Sequence, residues 1–556
     1  MTVSSSPTQI PPPVTAAERR WLARFAWLAM LLTTLPYLVA FLNQGADWVF
    51  SGFVFTVEDG NSYIAKMLDG SFGAWLFRTP YTAHPQNGAL VYLPYLILGK
   101  LASPPNLHLK LVLLYHVVRI LAGVLVFFAA YDFLAVFLHK VTTRRWAVVL
   151  GTLGGGLGWL AVLAGQKDWL GSLPLDFYSP ESFGFLSIFG LPHLALARAF
   201  LLWGLAKYLA PLPSQPKAAF MDRPAVHAGL LWFLLAFMQP LTVVIAWGVL
   251  SAHLAALAAA GIWRARRGLP VEWRTWQAFF RRAISAGLLS SPLVIYTTVY
   301  FSLDPFLKTW TAQNIITSPH PAHYLLAYGL MLPFVYKGAR HLFAQVPSQA
   351  WLPIAWLAAL PFWVYAPVAI QRRLAEGVWL AIVVMAAASF DVSAVPSPAK
   401  RPLAPRLLLF LSLPTTIFIF LGSLLAAANP GSPLFIPSAQ AAAFHRLGEL
   451  APADAVVLSS FDTGNALPAW APLRVVIGNG PESLGLAELS PRVTAFFQPA
   501  TAPVDRLALL SEHQVSYVFW GPGERALGAW LPASAPYLTL VYQEDGYSVF
   551  EVVPSP

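Results

Sequence analysis

A succession of apolar runs of membrane-spanning length constrains this chain more than any other feature. Crossing the hydrocarbon takes about twenty predominantly apolar residues, and the backbone polar groups inside it must be satisfied within the segment itself, which selects the α-helix. Such runs occur at Trp21 to Leu42, Leu109 to Leu138, Trp146 to Ala164, Pro192 to Leu209, Ala225 to Met238, Leu241 to Trp263, Ala283 to Phe301, His323 to Leu342, Trp351 to Ala369, Gly377 to Phe390 and Arg406 to Ala428. The expected fold class is a polytopic α-helical membrane protein with about eleven transmembrane helices. Composition agrees, since only 11% of residues are charged, against roughly 25% in soluble domains. The first run is too long for a signal-peptide core and has no evident small-residue cleavage site, so it reads as a retained anchor.

The basic residues set the orientation. Arg19, Arg20 and Arg24; Lys140, Arg144 and Arg145; Lys207, Lys217 and Arg223; Arg264, Arg266, Arg267, Arg274, Arg281 and Arg282; Lys337 and Arg340; and Lys400, Arg401 and Arg406 fall on one side. The opposite loops carry few cations, among them Lys66, Arg78, Lys100, Lys308, Arg372 and Arg373. By the positive-inside rule the crowded side is cytoplasmic. The N-terminus is then inside and the tail from Asn429 outside, provided that Ala225 to Trp263 is two helices split at "MQPLT". The formal net charge of +10 is accounted for by these loops rather than by nucleic acid. With no cysteine, disulfides, thiolate nucleophiles and Cys-ligated metals are excluded.

Residues 1–20 open with the Ser/Pro-rich "MTVSSSPTQIPPPVT", a disordered cytoplasmic lead. Residues 21–428 form the transmembrane domain, with a long first outer loop over 43–108. Residues 437–556 change character, with β-type runs "AVVLSS", "RVVIG", "VSYVFWG" and "LTLVY…YSVFEV" around helix-like stretches such as "PVDRLALLSEH". A small extracytoplasmic α/β domain fits. The first outer loop is too long for a simple connector. Its "VEDGNSYIAKMLDGSFGAWLF" and "RTPYTAHPQNGALVYLPYLILGKLA" predict amphipathic helices in the outer interface, with Trp75, Tyr81, Tyr92 and Tyr95 at headgroup depth.

Glu58 and Asp59 in that loop are candidate catalytic carboxylates. They serve equally as the acidic first turn of a helix, stabilised by its dipole, and the two readings are compatible. Arg372 and Arg373 in "IQRRLAEG" are a cation pair on the outer side, against the positive-inside trend. A phosphate would explain them, since guanidinium grips it in bidentate fashion; a salt bridge to Glu376 or to a loop acid is the structural alternative. His84, Glu181, His193, Gln239, Gln313, Asn314, His320 and Glu376 are further pocket candidates from outer segments, with Asp176 and His323 beside them. His84 and His193 are more often a hydrogen-bonded wall than ligands. "HPAH" is a turn and no two outer histidines share a helix at four-residue spacing, so zinc has little support. "GTLGGGLGWL" lacks the Lys-Ser/Thr ending of a phosphate loop, and its glycines suit close helix packing.

A cytoplasmic N-terminus, one anchor helix, a first outer loop with an acidic pair, about eleven spans and an outer C-terminal domain resemble the GT-C fold. These polytopic glycosyltransferases use lipid-phosphate-linked sugars and include the protein mannosyltransferases, aminoarabinose transferases and oligosaccharyltransferase catalytic subunits. The tail segments "FDTGNALPAWAPLRVVIGNGPES" and "YVFWGPGER" look like those of bacterial membrane proteins of this type. The resemblance implies a glycosyltransferase in the bacterial plasma membrane, moving a sugar from a polyprenyl-phosphate donor to a lipid, glycan or protein acceptor at the outer face. It implies that Asp59 first and Glu58 second act on the acceptor or help hold a divalent metal. No cofactor is specified. A second acidic motif of several relatives is matched only loosely by Asp176 and Glu181 in "LDFYSPESF", which leaves metal dependence open. Arg372 and Arg373 would meet the departing phosphate, in a pocket shared with the carboxylates. The alternative function is a membrane transporter or lipid flippase, with "MQPLT" as a broken helix; a third is a noncatalytic scaffold whose outer domain binds a partner.

Overall fold

The computed structural model describes residues 11–212, 221–391 and 403–553. Residues 1–10 of the lead, together with Lys217, Lys400 and Arg401 of the orientation argument, lie outside them. Among the described residues, five helices are long and apolar enough to cross a membrane: Ala16–Asn43, Leu107–Ala135, Pro240–Arg266, Trp273–Leu303 and Leu403–Ala428, the last bent at Leu413 between Leu403–Ser412 and Pro414–Ala428. Shorter apolar helices complete the set, among them Pro192–Tyr208, Arg223–Met238, Pro347–Val364 and Val378–Ala388. The break at "MQPLT" is real. Gln239 is extended (φ −159°, ψ 95°), as the residue before a proline prefers, and Pro240 opens the next helix.

Two apolar runs are not single helices. Trp146 to Ala164 holds Val141–Leu153 and the short Gly158–Leu163, separated by an extended Gly154. Across this gap the freed amides find other acceptors: Gly155 donates to the Ser412 carbonyl (2.6 Å), Leu157 to that of Leu326 (3.1 Å), and Gly158 to the Asp176 carboxylate (3.2 Å). The glycine run therefore ends a helix, and at Gly156 it also allows the Ala327 backbone to approach. His323 to Leu342 is likewise divided into Ala322–Tyr328 and Leu332–Gln345, with Pro333 in the first turn of the second.

By internal contacts the chain divides into two compact units. The first is drawn from Met1–Thr34, Val118–Tyr296 and Ile316–Gly422, the second from Leu35–Val117, Thr297–Ile315 and Ser423–Pro556. In the first, every residue of Val378–Ala388 is buried. Buried cations there are paired rather than snorkelling: Arg144 with Glu18 (3.0 Å), Arg198 with Glu376 (2.7 Å), and Arg119 with the hydroxyls of Thr33 and Thr34 (3.2 and 2.7 Å).

In the second unit the 43–108 loop and the tail belong to one body. Strand β1 (Trp48–Phe50) pairs antiparallel with β2 (Phe435–Pro437), Val49 opposite Ile436. Further on, β3 (Val456–Leu458), β4 (Arg474–Val475), β5 (Val515–Trp520), β6 (Leu538–Glu544) and β7 (Tyr547–Val552) form a mixed sheet in the order β4-β3-β5-β7-β6. β3 runs parallel to β4 and β5, while β7 is antiparallel to β5 and β6. The β6–β7 hairpin turns on Asp545 and Gly546, both at positive φ (47° and 82°), the pattern whose twist suits a tight hairpin. The helix Val57–Ser71 is buried along most of its length, so it is a packed element rather than one floating in the interface. Tyr81 and Tyr95 are buried in protein, whereas Trp75 stays exposed.

Candidate functional site

Glu58 and Asp59 occupy the first turn of Val57–Ser71. Thr56, in the left-handed region (φ 49°), starts the helix without a side-chain cap, so the acidic first turn is what complements the dipole. The Glu58 carboxylate accepts the Gly480 amide at 2.6 Å, and its backbone carbonyl accepts Asn465 Nδ2 at 3.2 Å. Asn61, one turn on, donates to Asn465 Oδ1 at 2.8 Å. Both tail residues belong to "FDTGNALPAWAPLRVVIGNGPES".

The "GNGPES" loop is gripped from several sides. The Glu482 carboxylate accepts from Lys66 Nζ and Ser62 Oγ on one oxygen and from Thr79 Oγ1 on the other, each at 2.6 Å. Lys66 is fully buried; its ammonium also donates to Ser62 and lies over the rings of Tyr92 (4.5 Å) and Phe77 (5.3 Å). From the short helix Pro305–Gln313, Trp310 Nε1 donates to the Pro481 carbonyl (2.6 Å), as does Asn314 Nδ2 (3.1 Å), while Gln313 Nε2 donates to that of Ser483 (3.0 Å). Gln313 and Asn314 are thus brought to the same loop as Glu58. Sequence reasoning missed Lys66, Asn465 and Glu482; the tail segments that carry the family resemblance contain the latter two.

Burial pushes the Asp69 carboxyl, on the same helix, up to about 7, with the charges of Asp454 and Glu482 raising it further against the opposing effect of Lys66. Tyr81 is held protonated far above the ordinary phenol range by burial and then by the surrounding carboxylates, and its hydroxyl donates to the Asn465 carbonyl (3.1 Å).

In the first unit, Arg372 and Arg373 lie in the turn Gln371–Ala375. Arg372 stacks on the Tyr178 ring (4.6 Å), and Arg373 faces Glu181 at 3.6 Å. The Nε atoms of both arginines are buried, with no hydrogen-bond partner among the described residues. Glu376 does not neutralise them, because it is committed to Arg198, which also donates to the carbonyls of Phe183 (2.9 Å) and Pro180 (2.6 Å). Asp176 accepts from Thr415 (2.6 Å) and Gly158, and burial raises its carboxyl above the usual range.

The remaining candidates are placed as follows. His193 is in the first turn of Pro192–Tyr208. Gln239 accepts from Thr242 (2.8 Å) at the helix break. His320 is exposed and accepts the Ala322 amide (3.2 Å), and His84 is exposed with its ring 6.0 Å from that of His513. Among the described residues no three His, Asp or Glu side chains converge to hold a metal.

No family model matches the sequence, and the search of curated proteins found no match. The fold does have solved counterparts. The arabinofuranosyltransferase AftD from Mycobacteria superimposes with a TM-score of 0.60 at 16% identity, over 99% of this chain and 41% of that one. The archaeal oligosaccharyltransferase AglB from Archaeoglobus fulgidus, in complex with an inhibitory peptide and a dolichol-phosphate, gives 0.53 at 13% identity, over 97% and 75%. The Archaeoglobus fulgidus oligosaccharyltransferase tethered to an acceptor peptide gives 0.51 at 13% identity, over 90% and 69%. The chain thus spans less than half the length of AftD. It is an integral membrane protein with the fold of the GT-C glycosyltransferases.

Proposed function

We propose that the chain is a glycosyltransferase that moves a sugar from a polyprenyl-phosphate-linked donor to an acceptor at the outer face of the membrane. Its topology has about eleven spans, a cytoplasmic N-terminus and an extracytoplasmic α/β tail over 437–556. The fold supports the class, and AglB, which shares it, was solved with a dolichol-phosphate. The observation that carries the reading is the adjacent pair Arg372 and Arg373: among the described residues neither Nε has a hydrogen-bond partner, and Arg373 Nε lies 3.6 Å from Glu181, beyond hydrogen-bonding distance. Two adjacent guanidiniums with Nε donors still open to a hydrogen bond suit a phosphate, while the 3.6 Å contact of Arg373 with Glu181 is the loop-acid salt bridge of the structural alternative.

In the reaction, the bond between the sugar's anomeric carbon and the phosphate oxygen breaks, and that oxygen keeps the electron pair. Arg372 and Arg373 stabilise the charge that develops there. An acceptor hydroxyl or amide forms the new bond to the anomeric carbon and passes its proton to Asp59, with Glu58 in the supporting role. Lipid phosphate leaves as the second product.

A transporter or lipid flippase is the alternative, and the helix breaks at Gln239 and Gly154 are what favour it. The test uses purified protein in vesicles with a panel of undecaprenyl-phosphate pentoses and hexoses and a cell-envelope extract as acceptor. Asp59→Asn is expected to lower the transfer rate by about 10²-fold or more while the protein still inserts and folds. Full turnover in Asp59→Asn removes the assigned role. Passage of intact donor across the vesicle without transfer supports the transporter.

A further inference from the structure

Lys66 and Glu482 are a buried charge pair that the proposed chemistry does not use. Such a pair is weak evidence for stability, because desolvating both ions offsets much of their attraction, and apolar replacements often serve as well. What it supplies is a defined geometry. Glu482 accepts from Lys66, Ser62 and Thr79, so one carboxylate ties the Val57–Ser71 helix, the 77–82 segment and the tail loop together. Two residues before it, Gly480 offers its amide to Glu58 at 2.6 Å. On the other side of the loop, Trp310, Gln313 and Asn314 hold the backbone of Pro481 and Ser483. The loop has few ways to move without breaking contacts on both flanks.

We infer that Lys66 and Glu482 are positioning residues: they fix the Gly478–Gly485 loop against the helix so that Gly480 holds the Glu58 carboxylate and the first turn bearing Glu58 and Asp59 keeps one orientation. The inference rests on the glycosyltransferase reading for its activity readout. A helix first turn held only by its own backbone would fray, and its carboxylates would sample several orientations. Catalysis through a carboxylate loses rate steeply when that group is displaced by about an ångström. The amide of Gly480 is therefore a device for orientation rather than a spare capping contact.

The test is a double-mutant cycle in full-length protein reconstituted in vesicles with the undecaprenyl-phosphate sugar panel. Glu482→Gln is expected to lower kcat about tenfold or more with the donor KM changed less than about twofold. Glu58→Ala should lower kcat similarly, and the combined variant should lose no more than the worse single one, because both act through one contact. Wild-type kcat in folded Glu482→Gln, or losses that multiply in the combined variant, overturns the inference. Should Glu482→Gln unfold, Lys66→Met/Glu482→Leu restores a packed, uncharged core. There, recovered thermal stability with kcat still low supports positioning, and recovery of both, or a pair that also fails to fold, assigns the pair to structure alone. Asp59→Asn serves as the control: loss of transfer there beside normal Glu482→Gln sinks only this inference, whereas full transfer in Asp59→Asn sinks the functional reading beneath it.

Discussion

The side chains of unit two show how charge is handled where water is scarce. Asp69 is the clearest case. Its folded pKa of about 7 lies above the ordinary 3.8, so the folded state binds the extra proton between those values and stability falls as pH rises from about 4 to about 7. Asp69→Asn should therefore raise the melting temperature at pH 8 and change it little at pH 4, as thermal unfolding at the two pH values would read; an equal effect at both would mean that the carboxyl is not held protonated. At the same scale the candidate site was only partly legible in the sequence. Glu58, Asp59, Arg372 and Arg373 stood out because charge is rare here and each pair is adjacent. Lys66 and Glu482 did not, since they lie 416 residues apart and nothing local marks either as a partner of the other. Glu376 looked like a counter-ion for the neighbouring arginines, but its carboxylate goes to Arg198, 178 residues away in sequence.

Elements were legible where a single physical signal fixed them. The tail strands announced themselves through β-branched and aromatic runs between turns, and "MQPLT" through a proline with an unfavourable preceding residue. The interrupted spans were not, because the apolar run continues across Gly154, where the backbone turns extended, and across 329–331, where one helix ends and the next begins. Burial of Val57–Ser71 was also hidden. Its outward-looking polar residues Asn61, Ser62 and Lys66 are buried against partners distant in sequence. The packing of this helix on Leu93–Gly99 depends on small residues: a Cβ at Gly99 would meet the Met67 carbonyl, and one at Gly70 the backbone of Leu96. Gly99→Ala should destabilise the protein by about 1–3 kcal/mol through forced separation of the two helices. Thermal unfolding of the folded fraction checks this, and an unchanged melting temperature would show that the contact yields freely.

For the whole molecule, the proposed chemistry at the outer face needs the tail to lie outside, and the orientation can be tested directly because the chain has no native cysteine. A single cysteine at exposed Ala487 in the tail should react with a membrane-impermeant maleimide on intact cells, and one at exposed Arg267 only after permeabilisation; the reverse pattern would invert the topology. The claim that matters most is that the chain cleaves a sugar from a lipid phosphate with the help of its guanidinium pair. The measurement is the rate at which undecaprenyl phosphate is released from an undecaprenyl-phosphate sugar in vesicles, for wild type and for Arg372→Ala/Arg373→Ala. The account predicts protein-dependent release that falls by about 10²-fold or more in the variant. Release undiminished by losing both guanidiniums, or donor that crosses the bilayer uncleaved, would contradict it.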